Sequence, residues 1–177
     1  MILTTEHFLP GTASNLHIFR ETLNSNAVED RLRQICSEIN YDLIVFRGEH
    51  FRNEHEAILE LATALEMPKN YGLDYRNASW NSIDHFVTEL QVQPDTWRTR
   101  KSASGYLLLY RDPQHLIKSD ALVFATLLNI LGTSSLKTAN GVLPIHLIVG
   151  PMIFRHEYFS GLLRVSDQFC EDCQNVD

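Results

Sequence analysis

Three short, unbroken apolar runs constrain this chain more than any other feature. They are Tyr41-Asp42-Leu43-Ile44-Val45-Phe46, Tyr106-Leu107-Leu108-Leu109-Tyr110 and Ile145-His146-Leu147-Ile148-Val149. Each is rich in residues that suit strands. A continuous apolar run, as opposed to an alternating one, marks a strand covered on both faces, the environment of a parallel sheet in an α/β protein. Each run ends in a break: Arg47-Gly48 after the first, Gly150-Pro151 after the last.

Between the runs the apolar spacing turns helical. After the first run, Asn53 and Glu56 have the spacing of a capping box. Ala57, Ile58, Leu61, Ala62 and Leu65 then form one helix face, and Pro68 ends it. Asn70-Tyr71-Gly72 reads as a turn. A second helix is expected from near Asn77 to about Leu90. At 100° per residue, Ile83, Phe86, Val87 and Leu90 fall on one side of it. Asn77, Asn81, Asp84, His85 and Thr88 fall on the other, with Trp80 at the seam. Residues 91–104 are polar and read as a loop. Ser119 is expected to cap a third helix, Asp120 to about Leu131, which is apolar on nearly every face and so buried on several sides. The order strand, two helices, strand, helix, strand favours parallel strands joined by right-handed crossovers.

The ends are less patterned. Residues 1–23 show no strong period. Asn26 is placed to cap a helix and Glu29 to return the bond. Val28, Leu32, Ile35, Cys36 and Ile39 follow as one apolar stripe, in which Cys36 reads as core. Phe154–Val165 is expected to add a short strand or hairpin turning at Ser160-Gly161, before an acidic, polar end that frays. The expected organisation is therefore an N-terminal extension with one amphipathic helix (1–40), an α/β domain with a small three-stranded parallel sheet flanked by helices (41–150), and a C-terminal extension (151–177).

Composition narrows the function classes. Acidic residues outnumber basic ones 22 to 15, giving a net charge of −7. That argues against direct nucleic-acid binding, which needs a basic stripe, and suits a partner with a basic face. The basic cluster Arg98, Arg100, Lys101 has only Trp97 as an aromatic neighbour and reads as a solvated loop. Three cysteines do not make a disulfide framework. Cys170-x-x-Cys173 has no second pair to complete a zinc site. The N-terminus has neither a basic nor an apolar signal region, and no run is long enough to cross a bilayer, so a soluble cytoplasmic protein is expected. There is no glycine-rich phosphate loop, no His-Glu-x-x-His pair and no Gly-x-Ser-x-Gly elbow. Asp84-His85 has no nucleophile paired to it. No catalytic residue, cofactor or metal is expected.

The stretch Tyr41–Val87 resembles the barstar family, intracellular inhibitors of ribonucleases. The resemblance rests on Leu43-Ile44-Val45-Phe46 followed by Arg47-Gly48-Glu49, on the helix Glu54–Leu65, on the junction Met67-Pro68-Lys69-Asn70-Tyr71-Gly72, and on Asp74-Tyr75 and Asn77-Ala78-Ser79-Trp80-Asn81-Ser82-Ile83. Residues up to 150 follow the family's element order more loosely. In that family the loop after the Pro-Gly junction and the exposed face of the next helix plug the enzyme's active site. The resemblance thus implies a partner-binding surface of Asn70, Tyr71, Asp74, Asn77, Trp80 and Asn81, joined on the helix wheel by Asp84 and His85. It implies a partner that is a protein toxin, a ribonuclease with a basic active-site face, and an immunity role. The chain departs from the pattern where Asn77 and Asn81 replace the family's aspartates, and in one extra residue between Gly72 and Trp80. Amides keep the hydrogen-bonding geometry but lose the charge, and charge-assisted bonds are roughly twice as strong as neutral ones. Two other readings stay open: a barstar-fold module for a non-nuclease partner, and a small α/β enzyme with its site at the strand ends near Arg47, Arg111 and Gly150.

Overall fold

The computed structural model describes residues 4–9, 16–20, 25–67, 78–92, 103–135 and 142–152. The three apolar runs are strands β2 (Tyr41–Arg47), β3 (Gly105–Arg111) and β4 (Ile145–Met152), and a further strand, β1 (Leu16–Arg20), precedes them. All four pair in parallel in the order β1-β4-β3-β2. The expected three-stranded sheet is therefore corrected to four. The added strand covers the open edge that β4 would otherwise present.

Among the described residues, five helices surround the sheet: α1 (Ser25–Ile39), α2 (Glu54–Ala64), α3 (Trp80–Val92), α4 (Gln114–Ser119) and α5 (Ala121–Ser135). Short 3-10 helices occupy Thr5–Phe8 and Gly48–His50. The strand order explains where the helices go. From β2 through β3 to β4 the chain steps one way across the sheet, and from β1 to β2 it jumps the opposite way. Crossovers of one hand then place their helices on opposite faces.

One face is covered by α2, α3 and α5, whose Leu61, Phe86, Val87, Phe124, Leu127 and their neighbours pack on Ile44, Phe46, Tyr106, Leu108, Tyr110, Leu147 and Val149. The other is covered by α1 and Phe8. Val28, Leu32, Ile35 and Cys36 pack there on Tyr41, Leu107, Leu109 and Ile148. β1 thus joins the sheet, and α1 its second core, with the strands after residue 40.

Burial follows strand position. The first six residues of β3 and residues 145–150 of β4 are buried, as their unbroken apolar runs require. On β2 only Tyr41, Ile44 and Phe46 are fully buried, because among the described strands β2 pairs with β3 alone.

Local signals hold at α2 and shift elsewhere. The Asn53 side chain accepts a hydrogen bond from the Glu56 backbone N–H (2.9 Å), and the Glu56 carboxylate accepts one from the Arg52 N–H (2.9 Å). At α5 the cap is Asp120, not Ser119. Asp120 Oδ1 accepts from the N–H groups of Leu122 and Val123, both at 3.1 Å, while Ser119 closes α4, a short helix the apolar spacing does not mark. Asn26 lies within α1, and Glu29 accepts hydrogen bonds from Arg33 and Arg111 in place of the expected capping bond. At Gly48 a Cβ would lie 2.4 Å from the Asp112 carbonyl oxygen, so the Arg47-Gly48 turn needs glycine for close approach of two backbones. The hairpin expected at Phe154–Val165 and the pair Cys170 and Cys173 lie outside the described residues.

Candidate partner-binding surface

The second helix begins at Trp80, not near Asn77. Ser79 supplies the start: its hydroxyl accepts from the Ser82 N–H (3.3 Å) and its carbonyl from the Ile83 N–H (3.1 Å). From there the wheel holds. Ile83, Phe86, Val87 and Leu90 are buried against the sheet, Asn81 and His85 are exposed, and Asp84 is half-buried. Trp80 sits at the seam. It is half-buried, packs on the core, and its indole Nε1–H donates to Glu54 Oε1 at 2.7 Å. That bond ties the first residue of α3 to the first residue of α2, so the ring is oriented by both helices.

Charge on these two helices is one-sided. Glu54, Glu56, Glu60, Asp84 and Glu89 are their only charged residues besides histidines, and neither helix has a lysine or arginine. His85 faces Glu89 at 3.5 Å, and His50 lies 3.5 Å from Glu60 and 3.9 Å from Glu49. Two helices that carry acids and no lysine or arginine contribute a negative potential on this side and favour the approach of a basic partner.

Of the eight residues assigned to the surface from the sequence, α3 holds Trp80, Asn81, Asp84 and His85 together. The other four, Asn70, Tyr71, Asp74 and Asn77, lie outside the described residues. Glu54 was not among the eight. Its signal in the sequence was only that of an acidic residue in the first turn of a capped helix, which favours the helix dipole by itself.

The other candidate region, at the carboxyl ends of the strands near Arg111, is already occupied by internal pairs. The Arg111 guanidinium donates to Glu29 and to Asn26 Oδ1 (3.0 Å), and its Nε lies 3.8 Å from Asp112, which also accepts a hydrogen bond from Ser25 (3.1 Å). Burial pushes the Glu29 carboxyl up. The hydrogen bonds and charges of Arg33 and Arg111 outweigh it and hold the group below its ordinary value. The cluster fastens the N-terminal turns of α1 to the end of β3. Among the described residues, no group of three His, Cys, Asp or Glu side chains could hold a metal ion, and no helix is long and apolar enough to cross a membrane. No protein-family model matches the chain, no curated protein matches it, and no solved structure matches it.

Proposed function

We propose that the chain is a barstar-like inhibitor that binds a cognate toxin, a ribonuclease with a basic active-site face, and blocks that site with the loop and helix of residues 70–88. It acts in the cytoplasm of the producing cell, as an immunity protein. The observation that carries this reading is the α2–α3 surface. A half-exposed Trp80 is held by Glu54, with Asn81, Asp84 and His85 beside it and no basic side chain on either helix. An oriented aromatic at the edge of a charged patch is the composition of a binding hot spot. Glu54, bonded to Trp80, and Asp84, three residues on from Asn81 in α3, offer negative charge on this surface. The engagement of Arg111 by Glu29, Asn26 and Asp112 favours an internal role for that arginine over an enzyme site at the strand ends.

The test is capture of partners from the native host with the tagged protein, followed by a ribonuclease assay on what co-purifies. A stoichiometric basic protein whose ribonuclease activity is silent in the complex and returns on dissociation is the expected result. A stoichiometric partner without nuclease activity would replace this reading with the interaction-module alternative.

A further inference from the structure

The most unusual chemistry among the described residues lies under α1, away from the α2–α3 surface. His17 on β1 and His146 on β4 face each other, with His17 Nε2 3.3 Å from His146 Nδ1. Their rings stack at 5.6 Å and 29°. Phe8 closes over both edge-on, at 5.0 Å from His17 and 5.5 Å from His146, and the Tyr41 ring lies 6.4 Å from His146. His146 has no exposed surface. Its Nε2 and the Tyr41 hydroxyl are both buried without a hydrogen-bond partner among the described residues.

Such a pair is stable only while at least one ring is neutral. One nitrogen can then donate and the other accept across the 3.3 Å gap. If both rings are protonated, two N–H groups and two like charges face each other. Among the described residues, no anion faces the pair to compensate. Among the same described residues, the titratable groups packed on this side of the sheet with His146 are His17 from β1, Tyr41 from β2 and Cys36 from α1, none of which is an anion in acid. β3 contributes Leu107 and Leu109, Glu29 of α1 is held by Arg33 and Arg111, and Glu6 of the first 3-10 helix is exposed. Burial accordingly holds His146 down at about 4, against a weaker upward pull from a hydrogen bond with the Phe8 backbone.

The cover over this pair is uneven. α1 is a four-turn helix fastened by the Arg111 cluster. The 3-10 helix has 4 residues and β1 has 5, and β1 pairs only with β4 in the described sheet. Local opening begins where buried contacts are fewest.

We propose that His17, His146 and Phe8 form an acid-released latch. Protonation of the imidazole pair undocks Thr5–Phe8 and Leu16–Arg20 and leaves β4 as an exposed edge, while α1 and strands β2 to β4 stay folded. The device is independent of any partner of the α2–α3 surface. It converts acidification into an open strand edge, the kind of surface that takes up another strand.

Hydrogen–deuterium exchange of the full chain at pH 7.5 and pH 5.0, corrected for intrinsic rates, tests this directly. A group held at about 4 in the closed form and at 6.5 when open favours opening by on the order of 30-fold at pH 5.0. Protection of peptides covering residues 16–20 and 145–152 is expected to fall by that factor, with peptides covering 41–47 and 105–111 changing less than about twofold. His146→Leu is expected to abolish the difference. Unchanged protection of residues 16–20 in the wild type, an equal loss over all four strands, or the same loss in His146→Leu would each overturn the latch. The first two outcomes are read on the wild type and do not depend on the variant folding.

Discussion

The two faces of the sheet are built on different principles. Beneath α2, α3 and α5 the packing is almost wholly apolar, and its hydroxyls belong to tyrosines. Beneath α1 the layer is thinner and carries the buried His146 imidazole with its partner His17 at one point and the Arg111–Glu29 pair at another. A dry apolar face holds a helix in place without tying its outer side chains to any condition of the solvent. A face with buried ionisable groups holds its cover only in the protonation states that satisfy them. The binding surface proposed above rides on the first face and is expected to be indifferent to changes made on the second.

The largest effect should come from the apolar face. Phe86→Ala removes a ring with no exposed surface and is expected to cost about 3–5 kcal/mol in urea unfolding, because transfer and cavity terms add. A cost under about 1 kcal/mol would mean that this face is not the main support. Next comes Arg111→Ala, which leaves Glu29 with Arg33 as its remaining partner. Both side chains of the Arg111–Glu29 pair keep about a tenth of their exposure (11% and 10%), so a loss of about 2 kcal/mol is expected, below that for a buried charge left unpaired because Arg33 still holds Glu29. The double variant Arg111→Met with Glu29→Leu should recover most of it. If the double variant is as unstable as the single, the pair is not what fastens α1.

Acidification separates the faces more finely. His146 sits below its ordinary value of 6.5, so the unfolded chain takes up a proton first, and stability falls as pH drops from about 6.5 toward about 4. By pH 5 the expected loss is about 2 kcal/mol. Glu29 is also held low, and its contribution is lost only below its ordinary 4.5. Urea midpoints measured between pH 7.5 and 5.0 are therefore expected to fall with His146 and not with Glu29, and the slope should flatten in His146→Leu. The smallest effect belongs to the proposed surface. Asn81→Ala and Asp84→Ala are expected to change stability by less than about 0.5 kcal/mol, as surface substitutions usually do, while Asp84→Ala weakens binding to the captured partner at least about tenfold.

Much of this fold was legible because its signals are local. The three apolar runs, the Asn53–Glu56 cap and the wheel of α3 each depend on residues within one or two turns or one strand. β1 escaped because Leu16, His17 and Ile18 give too short an alternation, and because the imidazole that His17 meets is 129 residues away. Glu29 has the spacing of a capping residue, and only the arrival of Arg111 from β3 diverts its carboxylate. At the surface, the seam position of Trp80 followed from periodicity alone. Its bond to Glu54 did not, since the two lie 26 positions apart.

The central claim is that the α2–α3 surface silences a basic ribonuclease. The most direct measurement is a titration of the captured partner's ribonuclease activity with wild-type protein, Trp80→Ala and Asp84→Lys. Stoichiometric inhibition by the wild type, with both variants displaced to at least about tenfold higher concentration and folded by circular dichroism, is the predicted result. Equal inhibition by all three proteins, or no inhibition by the wild type, would contradict the account.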